Sequence, residues 1–305
     1  MSIITTAQAV PSRLFAIYAA LFDSENGEVK DRIAAWATPP SLSGRGGDEA
    51  GESNTTLFSN TLAEARRIGL VEESDDKLRL TSDARGGGKK GKDSEAYFLA
   101  YMRRTLFDPA RAAETQQLGF MIALSWFLSL SPLRPMSFSE PPQNSLKAQI
   151  GDHASKTELT SLNRYQNFLY WARYLGFATI VGGSNDPEDV TSRRVIPDPA
   201  KAIESALPAI FSETNDLPVE QFLMRLSAIF PVFESGSVRQ NFETMRSSAV
   251  VAIDQRLSIA TSLALRRLVD RQLLTMTSVA DAASRILDFG SREERVSRIA
   301  LREAA

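Results

Sequence analysis

The stretch 62-LAEARRIGLVEESDDKLRLT-81 constrains the fold more than any other. Leu62, Ala65 and Ile68 share one face of a helix, and Gly69 suits its left-handed close. Directly after it, 70-LVEE-73 and 78-LRLT-81 alternate apolar and polar residues around 74-SDDK-77, which marks a β-hairpin. Upstream, 12-SRLFAIYAALF-22 puts Leu14, Phe15, Tyr18, Leu21 and Phe22 on one helical face, with Pro11 and Ser12 at a helix start. The polar turn 23-DSENGE-28 leads into a second short helix, 28-EVKDRIAAWA-37, stopped by Pro39 and Pro40. The run 41-SLSGRGGDEAGES-53 reads as a Gly/Ser-rich loop. A third helix is predicted from about Asn54 to Gly69, with Leu57, Phe58, Leu62, Ala65 and Ile68 facing inward.

Helix, helix, helix, hairpin is an order that resembles the winged-helix family of helix-turn-helix domains. The resemblance covers about residues 10–82, and 67-RIGLVEE-73 is similar to that family's exit from the third helix into the wing. It implies a fold, and only weakly a function, because winged helices serve both as DNA readers and as protein-interaction modules. The pattern returns in 161-SLNRYQNFLYWARYLGFATIVGG-183. There Tyr165, Phe168, Leu169, Trp171 and Leu175 line a helix that passes through Gly176 into the strand 177-FATIV-181, the acidic loop 184-SNDPED-189 and the strand 193-RRVIPD-198. A weaker third copy starts at 263-LALRRLVDRQLLTMTS-278. Its later strand candidates are 285-RILDF-289 and 295-RVSRIAL-301, with a helical reading open for Ser278–Leu287. Aligned on 65-ARRIGLVEE-73, 172-ARYLGFATI-180 and 266-RRLVDRQLLTM-276, the copies stand roughly 100 residues apart, a domain-sized interval.

The third helix of a DNA-reading winged helix lies in the major groove, where its exposed side chains meet base edges and basic groups hold phosphates. The first such helix offers Asn54, Thr55, Thr56, Ser59, Asn60, Thr61, Arg66 and Arg67. The second offers Lys156, Thr157, Thr160, Asn163, Arg164, Gln166 and Asn167. Such residues also make an ordinary solvated helix face. The acids Glu72, Glu73, Asp75, Asp76, Asp186, Glu188 and Asp189 argue against wings that touch phosphates and favour a protein partner. In 85-RGGGKKGK-92, Arg85, Lys89, Lys90 and Lys92 on a glycine tether could embrace a nucleic-acid backbone or simply keep a linker soluble. Gly86, Gly91 and Lys92 also match most of a phosphate-binding loop. Asp93, however, stands where a Ser or Thr should hold magnesium, and 249-AVVAID-254 lacks the parallel α/β sheet that would make it a nucleotide-site strand.

Other chemistry finds little footing. With no cysteine and His153 as the one histidine, thiol nucleophiles, cysteine-based zinc sites and multi-histidine zinc sites are excluded. His153 in 151-GDHASK-156 reads as a loop or helix-start residue. Glu72/Glu73 and Glu293/Glu294 are adjacent in sequence and point apart. The net charge of −2 gives no global attraction to nucleic acid, so any such attraction must be local. The apolar run 118-LGFMIALSWFLSLSPL-133 falls short of the roughly 20 residues that span a bilayer and reads as a buried helix joining domains, with a membrane segment as the outside alternative. The N-terminus shows no secretory signal. Two long helices are predicted over residues 94–107 and 109–132, and two more over 199–211 and 218–233, kinked or stopped by Pro208 and Pro231. The C-terminal arginines Arg256, Arg266, Arg267, Arg271, Arg285, Arg292, Arg295, Arg298 and Arg302 are interleaved with acids.

The opening 12-SRLFAIYAALF-22, the segment 36-WATPPSL-42 and 62-LAEARRIGLVEE-73 are also similar to the DpdG accessory proteins of bacterial systems that insert 7-deazaguanine derivatives into DNA and restrict foreign DNA. That resemblance implies a non-catalytic subunit beside modification or restriction enzymes and names no site residues. The expected fold is mainly α with small β-hairpin wings: tandem winged-helix domains joined by helical segments. A first winged helix spans 1–84, a basic linker with connecting helices 85–135, a second winged-helix-like domain 136–215, and a C-terminal helical or winged-helix-like domain 216–305. The expected function is a cytoplasmic, non-enzymatic DNA-binding or adaptor subunit of a bacterial modification or defence assembly. Its expected partners are double-stranded DNA and the other subunits, with no cofactor, metal, membrane or small-molecule substrate. A winged-helix transcriptional regulator and a pure protein scaffold are the alternatives.

Overall fold

The computed structural model describes residues 2–37, 50–183, 192–246 and 255–302, with side chains of the helix at 50–67 from Thr56 onward. The chain falls into two compact units, Met1–Leu118 and Gly119–Ala305.

The first unit begins with α1 (Pro11–Phe22), β1 (Glu28–Val29), α2 (Lys30–Ala37), α3 (Ala50–Arg67), β2 (Val71–Ser74) and β3 (Lys77–Leu80). The strands β2 and β3 pair antiparallel from Val71↔Leu80 to Ser74↔Lys77. Their two-residue turn, Asp75–Asp76, has both φ values positive, as the favoured hairpin turn demands and as Asp tolerates. Residues 28–37, expected as one helix, are split: Glu28 and Val29 pair with β3, giving the sheet order β1-β3-β2. The third helix starts at Ala50, four residues before the expected Asn54. Leu14, Ile17, Tyr18, Leu21 and Phe22 of α1 are buried, as are Phe58, Leu62, Ala65 and Ile68; Leu57 and Phe15 are only half-buried.

Three further helices complete the unit: α4 (Ser82–Arg85), α5 (Ser94–Phe107) and α6 (Pro109–Glu114). Phe98 of α5 lies 5.2 Å from the Tyr18 ring, centroid to centroid. Each such buried ring contributes about 1.5–3 kcal/mol. The helix expected over 109–132 breaks at 115–117. There Gln116 adopts φ +60°, and the buried Gln117 side chain accepts from Ile3 N at 2.9 Å and donates to Thr115 O at 2.8 Å.

The apolar run forms α7 (Leu118–Ser129), buried at every residue from Phe120 to Leu128. Among the described residues no helix is long and apolar enough to cross a membrane. There follow β4 (Met136–Ser137), α8 (Gln143–Ile150), a 3-10 segment at Gly151–Thr157, α9 (Leu162–Leu175), β5 (Ala178–Val181) and β6 (Arg194–Pro197), with sheet order β4-β6-β5. The five residues assigned to the inner face of α9 are all fully buried. Next come α10 (Ala200–Ile210), β7 (Asp216–Pro218), α11 (Val219–Ile229), α12 (Ser237–Thr244), α13 (Ile259–Asp270) and β8 (Leu274–Thr277). The chain closes with β9 (Arg285–Asp288), β10 (Glu293–Val296) and β11 (Arg298–Leu301). Pro208 is accommodated inside α10, whereas α11 stops before Pro231. The third sheet has the order β7-β11-β8, and β9–β10 form a separate hairpin. The strand expected over 295–301 is thus two strands, divided at the buried Ser297, which bonds β8 through Thr277 O. The helical alternative for 278–287 does not hold.

Three times, therefore, the chain runs helix, strand, helix, helix, strand, strand, with the last strand central in a three-stranded antiparallel sheet; the third copy adds α12 and a hairpin. Backbone hydrogen bonds fix the register between copies. Leu70 N, Phe177 N and Leu273 N donate to Ala65 O, Ala172 O and Leu268 O, closing the third helix of each copy. The residue before each donor has positive φ: Gly69 (+73°), Gly176 (+93°) and Gln272 (+61°). Leu70 O, Phe177 O and Leu273 O in turn accept from Thr81 N, Asp198 N and Arg302 N. Leu268, not Arg266, therefore matches Ala65, which shifts the sequence alignment of the third copy by two residues.

Candidate nucleic-acid interface

On α3 the polar residues Thr61 and Glu64 turn inward with Phe58, Leu62 and Ala65. The Glu64 carboxylate accepts from Thr6 Oγ1 at 3.1 Å and Arg67 Nε at 3.0 Å, and Arg67 Nη1 donates to Thr115 O at 2.5 Å. Arg67 is thus tied to Glu64 and to the Thr115 carbonyl, with its side chain 30% exposed. The outward stripe is Thr56, Ser59, Ala63 and Arg66, with Asn60 half-exposed beside it. Arg66 pairs with Glu73 on the hairpin, so the hairpin itself neutralises the stripe's cation. The side chains of Asn54 and Thr55 lie outside the described residues. An open groove of about 730 Å³ beside Arg66 and Arg67 is charge-balanced: Arg111 pairs with Asp83 and Arg67 with Glu64.

The glycine-rich run is anchored at Arg85 and Gly88. Arg85 donates to Phe22 O at 2.9 Å and Leu21 O at 3.0 Å, satisfying last-turn carbonyls of α1. Gly88 is buried, and a Cβ there would stand 2.5 Å from Phe22 Cε2. Asp93 caps α5, its Oδ1 accepting from Glu95 N at 3.1 Å and Ala96 N at 3.2 Å. Those are amides a bound phosphate would need, and a carboxylate already holds them. Lys89, Lys90 and Lys92 are exposed and make no ion pair with a described residue.

The second copy gives a fuller face. Two of its candidates are withdrawn from solvent. Thr157 is fully buried and donates to Ala154 O at 2.7 Å; Asn167, 1% exposed, sits on the inner side of α9. Its spacing was a clue, since Asn167 stands four residues before Trp171 and eight before Leu175. Lys156 and Asn163 are exposed, and half-exposed Arg164 donates to Thr160 Oγ1 at 3.1 Å. The outward stripe is Asn163, Gln166, Tyr170 and Arg173. Tyr170 stacks edge-on against Phe138 at 5.7 Å, and Arg193 lies over the same Phe138 ring at 5.9 Å. The stripe and the start of β6 are thereby joined by an aromatic bridge that carries a cation. Sequence reasoning left out Tyr170 and Arg173, although 172-ARYLG-176 repeats 65-ARRIG-69 and puts Arg173 where Arg66 stands. The acidic residues Asp186, Glu188 and Asp189 lie outside the described residues, as does 249–254. His153 sits exposed in the 3-10 segment.

The C-terminal arginines are largely spent on acids. Arg267 meets Asp198 at 2.5 Å and Arg271 meets Glu204 at 2.5 Å, each linking α13 and its C-terminal exit to the second copy's end and α10. Arg285 holds Glu220 at 2.7 Å and Arg298 holds Asp216 at 2.8 Å. Arg256, Arg266 and Arg292 are paired within the copy.

A family model described as DpdG-like matches residues 1–282. No curated protein and no solved structure matches the chain. The match takes in both open stripes and runs through α13 and β8, ending ahead of β9. The chain belongs to the DpdG-like family.

Proposed function

We propose that this protein is a non-catalytic DNA-binding and adaptor subunit of a bacterial 7-deazaguanine DNA-modification or restriction assembly, built from winged-helix modules. Family membership supports the association with such a system. The threefold order of elements supports the module type: α3, α9 and α13 each precede an antiparallel strand pair, the order a winged helix gives its recognition helix and wing. The observation that carries the DNA reading is the outward stripe of α9. Asn163 and Gln166 carry amides of the kind that pair bidentately with adenine, and Tyr170, Arg173 and Arg193 add stacking and phosphate-binding groups. Lys89, Lys90 and Lys92 supply a further exposed cationic turn.

A second reading, a protein-interaction scaffold, is favoured for the first copy. Its stripe has its cation tied to Glu73, and Glu72, Asp75 and Asp76 are exposed on the same wing. A basic protein partner suits that face better than a phosphate backbone. The test is fluorescence anisotropy against duplex DNA over a salt series. Affinity is expected to fall at least about tenfold for a fourfold rise in salt, as two or more phosphate contacts require. No binding at low salt would sink the DNA reading and leave the scaffold.

A further inference from the structure

The hydrogen-bond register lets the outward stripes be compared position by position. Thr56, Ser59, Ala63 and Arg66 of α3 correspond to Asn163, Gln166, Tyr170 and Arg173 of α9, and to Ile259, Ser262, Arg266 and Val269 of α13. The first two sets face solvent wholly or in part. In the third, Ser262 is fully buried, Ile259 and Val269 are half-buried, and the Arg266 side chain keeps 40% of its exposure.

The hairpin β9–β10 is what lies there. Asp288 N donates to Ser262 Oγ at 2.9 Å, and Arg266 pairs with Glu294 of β10 at 3.7 Å. The hairpin is also stitched to the approach of α13. Leu257 N donates to Ile286 O at 2.9 Å, Ile286 N donates to Gln255 O at 2.7 Å, and Arg256 reaches both Asp288 and Glu293. Leu287 and Val296 of the hairpin are each 1% exposed. Arg285 fastens it to α11 through both oxygens of Glu220, at 2.7 and 2.9 Å. The stripe has the matching composition, with Ile259 and Val269 where the open copies carry Thr56 or Asn163 and Arg66 or Arg173.

We propose that the β9–β10 hairpin is a built-in occupant of the third copy's helix face, closing to macromolecular ligands the surface that α3 and α9 leave open. The third copy thus covers the matching helix face with its own chain. The hairpin enters between β8 and β11, at the place in the sheet where the first copy carries only the two-residue turn Asp75–Asp76. This closure stands on geometry alone and does not depend on the DNA reading above.

The chain has no cysteine, so single cysteines report one face each. Ser59→Cys, Gln166→Cys and Ser262→Cys in the full chain are labelled with a maleimide dye under native conditions. The first two are expected to react readily, and Ser262→Cys about a hundredfold more slowly, limited by local opening. Adding Leu287→Asp to the Ser262→Cys chain is expected to raise its labelling about tenfold or more while far-UV circular dichroism is kept. Should Leu287→Asp lose that signal, Glu293→Lys with Glu294→Lys, which sets like charges against Arg256 and Arg266, takes its place. Equal labelling at 59 and 262 overturns the proposal. So does a Ser262→Cys rate that stays unchanged when the hairpin is loosened in a folded chain. Duplex DNA that fails to slow labelling of Gln166→Cys counts against the DNA reading and leaves the closed face standing.

Discussion

Helices α9 and α13 end in the same backbone cap and enter the same kind of three-stranded sheet. Yet one presents Asn163, Gln166, Tyr170 and Arg173, and the other carries Ile259, Ser262, Arg266 and Val269 beneath a hairpin. The cap and the sheet are set by backbone hydrogen bonds and inward-facing residues. What a copy can touch is set by residues on the opposite side and by what is inserted between its last two strands. A repeated fold therefore does not imply a repeated function.

The largest expected contrast is in the core beneath the caps. Phe177→Ala removes a fully buried ring that stacks on Phe230 at 5.3 Å and Phe233 at 5.9 Å, and should cost about 3–5 kcal/mol. Its counterpart Leu273 is only half-buried, so Leu273→Ala should cost clearly less, under about 2 kcal/mol. Urea midpoints of the two variants check the order. Equal losses would mean that the copies share one core energetics despite their different packing.

The caps themselves sharpen the comparison. Gly176 has φ +93°, and a Cβ there would meet Ala202 N at 2.9 Å. Gly176→Gln is expected to destabilise by about 2–3 kcal/mol. The reverse change in the third copy, Gln272→Gly, should stay within about 0.5 kcal/mol, because relief of left-handed strain is offset by the freer unfolded chain. Thermal unfolding of both variants reads the asymmetry.

Alkaline pH separates the first unit's core from its surface. Burial, against the partly opposing charge of Arg85, pushes the Tyr18 hydroxyl from its ordinary 10.0 up to about 12. A raised folded-state value means that stability is fully present below pH 10 and is lost as pH rises through about 12. Tyr18→Phe forfeits the 3.0 Å bond to Ala84 O but should flatten that alkaline loss, as denaturant titrations across the window would record. The smallest effect belongs to the β2–β3 hairpin. Arg66 and Glu73 are an exposed pair, and Arg66→Ala should change stability by less than about 1 kcal/mol.

Much of this was legible in sequence because it rests on periodicity. The inner face of α9 and the hairpin after α3 could be read from apolar spacing and turn residues. The first strand of each copy could not, because β1, β4 and β7 are two or three residues long and exist only where another strand supplies partners. Polar groups spent on internal bonds were equally hidden. Thr157 and Arg85 are satisfied by backbone carbonyls, and Arg67 by Glu64 and Thr115 O, so polar character alone did not reveal which side chains stay available. The basic loop looked free because glycine signals flexibility, whereas Gly88 is there to pass beneath Phe22.

The most direct measurement sets α9 against α13 in one assay: anisotropy of duplex DNA with the wild-type chain, with Gln166→Ala/Arg173→Ala and with Arg266→Ala. The open face predicts that the first variant weakens binding about tenfold or more and lowers the salt slope by about one, since one phosphate or base-edge cation is gone. The closed face predicts that Arg266→Ala binds as wild type within about twofold. Equal losses in the two variants, or a loss confined to Arg266→Ala, would contradict the account.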